Sequence, residues 1–75
     1  MAIDDYSHLL AELDDAVMRV GQSTAHVAAQ EMRITLGKER GDDIRQSESL
    51  LDTLRVCLRL HQTYYDMRLL KLQRR

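Results

Sequence analysis

Proline, tryptophan and phenylalanine are absent from the 75 residues, and glycine occurs only three times. Without proline, nothing in the chain forbids long helices, and the few glycines and aromatics leave little material for strands. Cys57 is the only cysteine, so no disulfide can form within the chain. No cluster of cysteine and histidine has the spacing of a metal site, and no cofactor is expected. No run approaches the roughly 20 apolar residues of a membrane span. Neither sign of charge dominates: Lys and Arg total 11, Asp and Glu 12, for a net charge of -1. That balance does not favour a general nucleic-acid or membrane surface. The opening MAIDDYSH is acidic and no apolar run follows it, so no secretory leader is expected and the cytoplasm is the expected location. A chain this short buries only about 60% of its unfolded surface. With no disulfide and no metal, association with itself or with another protein is the remaining way to complete a core.

What is present favours helix: Ala, Leu, Arg, Glu and Gln recur throughout. Asp4 and Asp5 can open a first helix, where their charge suits the positive end of the helix dipole. From Tyr6 the spacing predicts a seam of Tyr6, Leu10, Leu13, Val17, Val20, Thr24, Val27, Glu31 and Ile34, alternating three and four. Leu9 and Ala16 widen it, and Asp15 and Arg19 form an outward pair one turn apart. Glu31 marks the fraying end of this core. Gly21 costs about 1 kcal/mol relative to alanine in a helix interior. One continuous helix is expected because the seam keeps its phase across Gly21. A break there, with Ser23 capping a new helix, is the alternative. Gly21, Ala25, Ala28 and Ala29 also read as a small-residue face for close helix approach.

The first helix is expected to span about 5–36 and to end at Gly37 with a left-handed cap. A polar turn over 37–42 follows, and Asp43 with Gln46 forms a capping-box pattern for a second helix over about 43–73. So short a turn between long helices predicts an all-α antiparallel hairpin. The second helix carries a seam of Leu51, Leu54, Leu58, His61, Tyr65 and Leu72, flanked by Leu50, Cys57 and Tyr64. The opposite face is polar, from Arg45 to Asp66. Beside the seam runs a second apolar stripe of Val56, Leu60 and Met67, edged by Leu70. Seam and stripe together cover roughly 220° of the helix at about 100° per residue. One neighbouring helix needs only a little over about 100°. The first helix has a similar surplus through Met18, Ala25, Ala29, Met32 and Leu36. The expected protein-binding residues are therefore Val56, Leu60, Tyr64, Met67, Leu70, Met18 and Met32. The surplus on both helices points to a homodimer forming a four-helix bundle, to a protein partner, or to both.

Groups for chemistry are sparse. His8 and Glu12 lie one turn apart on what reads as the outer, solvated face, and His26 is outward with no triad partner. His61 falls on the seam, as a core histidine facing Thr24 or a tyrosine, or as a pH-sensitive packing element. Cys57 reads as a buried structural thiol, far from any base or oxyanion hole. The adjacent aspartate pairs point to different helix faces and form no carboxylate dyad, and there is no Gly-rich phosphate loop. Catalysis is not expected. The acidic start, including Glu12, Asp14 and Asp15, and the basic end, Arg68, Lys71, Arg74 and Arg75, come together in a hairpin. Exposed pairs of this kind contribute only about 0–1 kcal/mol each.

From Arg40 onward the pattern Arg40-Gly41, Leu50-Leu51-Asp52 and Tyr64-Tyr65 resembles the small helical-hairpin co-chaperones of type III secretion needle subunits. The resemblance covers about half the chain. The first helix departs from it, being longer before the turn and interrupted at Gly21. The resemblance implies an escort that works with a second chaperone to hold an aggregation-prone subunit. Helical hairpins of phages and plasmids that inhibit a host regulatory protein are similar at the same level. The expected function is thus a small non-catalytic protein-binding module, a chaperone or adaptor. The alternatives are an inhibitor or anti-activator of a host regulator, and a nucleic-acid-binding regulator using the basic C-terminus.

Overall fold

The computed structural model describes residues 2–74, with side chains described from Tyr6 onward. It consists of two α-helices, α1 over Ala2–Arg40 and α2 over Arg45–Gln73, folded back on each other. The hairpin is a rod of 60 × 14 × 13 Å. Interhelical contacts lead outward from the turn through Gly37–Ile44, Gln30–Ser47, Ser23–His61 and Glu12–Arg68, which fixes the antiparallel sense. No helix among the described residues is long and apolar enough to cross a membrane.

Helix α1 is continuous through Gly21, so the break considered there is absent. The glycine keeps an ordinary negative φ, and a Cβ on it would meet nothing within 4 Å. Its helical neighbours and the unbroken seam carry the helix across a site of low propensity. Because α1 begins at Ala2, Asp4 and Asp5 lie inside its first turn rather than ahead of it. Their side chains fall outside the described ones.

The C-terminus of α1 lies beyond the expected Gly37. Gly41, with φ +79°, takes the left-handed conformation that ends the helix. The Asp42 amide donates to the Gly37 carbonyl at 2.9 Å and the Gly41 amide to the Lys38 carbonyl at 3.1 Å. These two bonds form a Schellman motif. Gly37 has a different task. A Cβ there would lie 3.2 Å from Ile44 Cγ2, so the missing side chain makes room for Ile44 to fold over the end of the seam.

The entry to α2 also differs from expectation. Its N-cap residue is Ile44, which offers no side-chain cap, so no capping box forms from Asp43 and Gln46. Asp43 instead sits one residue earlier. Its Oδ1 accepts from the Arg45 amide at 3.1 Å, and its Oδ2 accepts from Arg45 Nη2 at 2.8 Å. The Arg45 side chain first, and the backbone bond second, hold the Asp43 carboxyl below its ordinary value. A lowered carboxyl stabilises the fold above its unfolded-state pKa and loses that contribution as pH falls through the folded value.

The seam on α2 is the expected one. Leu51 is buried, and Leu54, Leu58, His61, Tyr65 and Leu72 are half-buried. The seam on α1 is rotated by one residue from the expected one. Leu13, Val20, Val27 and Ile34 face inward as expected, but their alternating partners are Leu9, Ala16, Ser23, Gln30 and Gly37. Leu10, Val17, Thr24 and Glu31 are exposed. The small residues explain the phase. Ala16, Ser23 and Gly37 let the helix backbones approach so that the leucines of α2 reach into α1, whereas Val17 and Thr24 at the seam would hold the helices apart. Thr24 instead donates its hydroxyl to the Val20 carbonyl at 2.8 Å.

The glycines give a paired test. Gly21→Ala is expected to stabilise the protein by about 1 kcal/mol, since the site is helical and open. Gly41→Ala is expected to destabilise it by about 1–2 kcal/mol, since an L side chain resists positive φ. Urea unfolding followed by circular dichroism measures both. Equal and opposite assignments, with Gly21→Ala the destabilising change, would mean that α1 is not continuous.

Candidate functional site: two apolar lines on a thin core

The interior of this hairpin is meagre. Among the described residues, the buried apolar side chains are Ala16, Ile34 and Leu51, and no large side chain is fully enclosed. Two of the buried residues are polar, Ser23 and Gln30. Ser23 Oγ lies 2.5 Å from His61 Nδ1 across the seam, so His61 faces Ser23 and neither Thr24 nor a tyrosine. Gln30 Nε2 donates to the Ser47 carbonyl at 2.9 Å, and Arg33 donates to Gln30 Oε1 at 3.2 Å. These bonds satisfy polar groups that burial would otherwise penalise by about 1–3 kcal/mol each.

The apolar residues outside the seam lie on the surface. Val56, Leu60, Tyr64, Met67, Leu70, Met18 and Met32 are each between 45 and 60% exposed. Cys57 is exposed too, which overturns its reading as a buried thiol. It sits on the flank of the seam, and α1 is too narrow to cover that flank. The total accessible surface is 5853 Å² for an 8.7 kDa chain. A compact monomer of that mass exposes about 4,700 Å².

These residues form two lines on opposite edges of the rod. One edge is marked by the ion pair of Glu31 with Arg55, at 3.2 Å. Leu10 and Val17 lie at seven-residue spacings from Glu31, so they share that edge, and Met18 and Met32 lie about 100° further round, on the outer face of α1. The other edge is marked by an open groove of about 320 Å³, lined by Asp15, Ala16, Arg19, His61, Tyr64 and Arg68. Leu50 and Cys57 lie at seven-residue spacings from Tyr64, so the α2 line runs along this edge, with Leu60 and Met67 beside it. Each line therefore borders a polar flank of the other helix.

The groove holds charge, and most of it is neutralised. Arg19 Nε donates to Asp15 Oδ2 at 2.8 Å. The Arg68 guanidinium stands over the Tyr64 ring, 5.8 Å from its centroid. Glu12 is half-buried rather than solvated, with Arg68 Nε 3.9 Å and His8 Nε2 3.4 Å away. It is turned inward because it flanks the seam beside Leu13. Of the expected pairing between acidic start and basic end, Glu12–Arg68 is the contact seen among the described residues, and it is long. Among the described residues, no group of three or more His, Cys, Asp or Glu could hold a metal ion.

The Ser23–His61 pair can be tested by a double-mutant cycle. Ser23→Ala alone is expected to cost about 0.5–1.5 kcal/mol, because His61 loses its partner. Adding His61→Leu is expected to recover most of that loss, because the seam becomes apolar at both positions. Strictly additive losses in urea unfolding would show that the pair is not coupled.

No family model matches the chain, and neither a curated protein nor a solved structure matches it.

Proposed function

We propose that this chain is a non-catalytic protein-binding module, a small chaperone or adaptor that offers apolar helix faces to other proteins. The observation that carries this reading is the continuous line on α2, through Val56, Leu60, Tyr64, Met67 and Leu70, left exposed while the interior encloses so little. Single exposed apolar residues need no explanation, but a line of them over several turns does. Met18, Met32 and Met67 add flexible side chains suited to a surface that adapts to its partner. The same surplus supports a homodimer forming a four-helix bundle. Escort of an aggregation-prone subunit is one form of this reading, and inhibition of a regulatory protein is another that uses the same faces. A nucleic-acid reading has less support: Arg68, one of the C-terminal cations, stands over the Tyr64 ring with the Glu12 carboxylate 3.9 Å away.

Leu60→Glu separates surface from core. Glutamate is a good helix former, so the variant is expected to keep its helical circular dichroism. It is expected to lose self-association, capture of partners from its native host, or both, read by sizing and pull-down on the same preparation. Retention of every association defeats the reading. Outright unfolding also defeats it, since Leu60 would then belong to the hairpin's own interior.

A further inference from the structure

We infer that the α2 line is the surface on which two copies of this chain meet, antiparallel, with the two-fold axis beside Leu60. The inference rests on the protein-binding reading above and names a second copy as the occupant of that line.

Area comes first. The chain exposes roughly 1,100 Å² more than a compact monomer of its mass. A stable interface of standard size removes about 800 Å² from each partner, so the extra surface of this 60 × 14 × 13 Å rod is large enough to supply one such interface. At 29 residues, α2 is also long enough to present several turns to a copy of itself.

Symmetry selects the partner. A two-fold interface must be self-complementary: the residue facing one position must be faced by it in return. Thr53 lies one heptad before Leu60 and so extends the row of Leu60 and Met67; on this face Cys57 and Tyr64 lie three and four residues on either side of Leu60, and Thr53 and Met67 lie seven on either side. In an antiparallel pair centred on Leu60, the small Cys57 faces the large Tyr64 and the small Thr53 faces Met67. Small against large is how facing layers interdigitate. Leu60 meets its own copy at the centre.

Charge disfavours the parallel alternative. Lys71 and Arg74 continue the line at the C-terminal end of α2. A parallel pair would set each against its own copy, like charge on like. The antiparallel pair sets Lys71 against Leu50 and Arg74 against Gln46, and separates the two basic ends by most of the helix. The groove edge of each hairpin is then covered. The α1 line, with Val17, Met18 and Met32, remains open on the far side for a different protein.

Disulfide trapping tests both sense and register. Three proteins are oxidised at micromolar concentration and read on a non-reducing gel, after circular dichroism has shown each to be helical. Leu60→Cys in a Cys57→Ser background is expected to form a covalent dimer. Tyr64→Cys with the native Cys57 is expected to do so as well, through Cys57 and the new thiol of the other copy. The unaltered chain is not, because its two Cys57 residues would stand about 10 Å apart along the helix axes, beyond the roughly 7 Å Cα limit for a disulfide. Efficient cross-linking of the unaltered chain, or none in either variant, overturns the antiparallel pair. A monomer mass by light scattering, with Leu60→Glu still abolishing capture of a host protein, overturns self-association alone. Capture that is indifferent to Leu60→Glu in a monomeric chain removes the α2 line as a binding surface and overturns the inference, and a monomeric chain that captures no host protein overturns the protein-binding reading itself.

Discussion

Two helices share only one seam, and the width of that seam limits everything else in this protein. The hairpin gains close approach by placing Ala16, Ser23 and Gly37 where larger residues would separate the backbones. Along this seam Leu13, Val20, Val27 and Ile34 of α1 and Leu51, Leu54 and Leu58 of α2 are buried or half-buried. Small side chains bring little apolar area, at about 25 cal/mol per Å² buried. The result is a well-registered contact with few buried apolar groups, and helices whose outer apolar residues have nothing to cover them.

Register comes from polar pairs and from the turn. A seam that repeats every seven residues could slip by one repeat at modest loss of apolar contact. Slippage would strand the Ser23–His61 and Gln30–Ser47 bonds, and unpaired buried polar groups are costly. At the turn, the Schellman bonds to Gly37 and Lys38 close α1, and Ile44 folds into the space left by Gly37. Positive φ at Gly41 and a missing side chain at Gly37 are separate requirements, met by two glycines four residues apart. The surface ion pairs, Arg19–Asp15 and Arg55–Glu31 among them, join well-exposed groups and add little to stability.

The hairpin itself and the α2 seam were legible in the sequence, because leucines at alternating three and four carry a strong periodic signal. The exposed line through Val56, Leu60 and Met67 was legible for the same reason. The α1 seam was legible only at Leu13, Val20, Val27 and Ile34. Its other half is marked by Ala16, Ser23, Gln30 and Gly37, which hydropathy reads as polar or neutral. The signal that identifies them is their seven-residue recurrence, together with small size at Ala16, Ser23 and Gly37, and Val17 and Leu10 mask it by being more apolar. Glu12 and Cys57 were misplaced for a related reason: each flanks the seam, where a rotation of one residue decides between inside and outside. The choice between Gly37 and Gly41 as the helix end rests on φ, and one sequence offers two equally good glycines.

On the proposed reading, the two exposed apolar lines are association surfaces, and association adds to the stability that the thin seam supplies. Concentration dependence of thermal unfolding tests that claim most directly. A folded state that exists as an assembly gains stability by mass action, so its midpoint rises with protein concentration. The account predicts such a rise over a wide range of dilution. A midpoint that does not move with concentration, in a chain that stays helical and monomeric throughout, would contradict it.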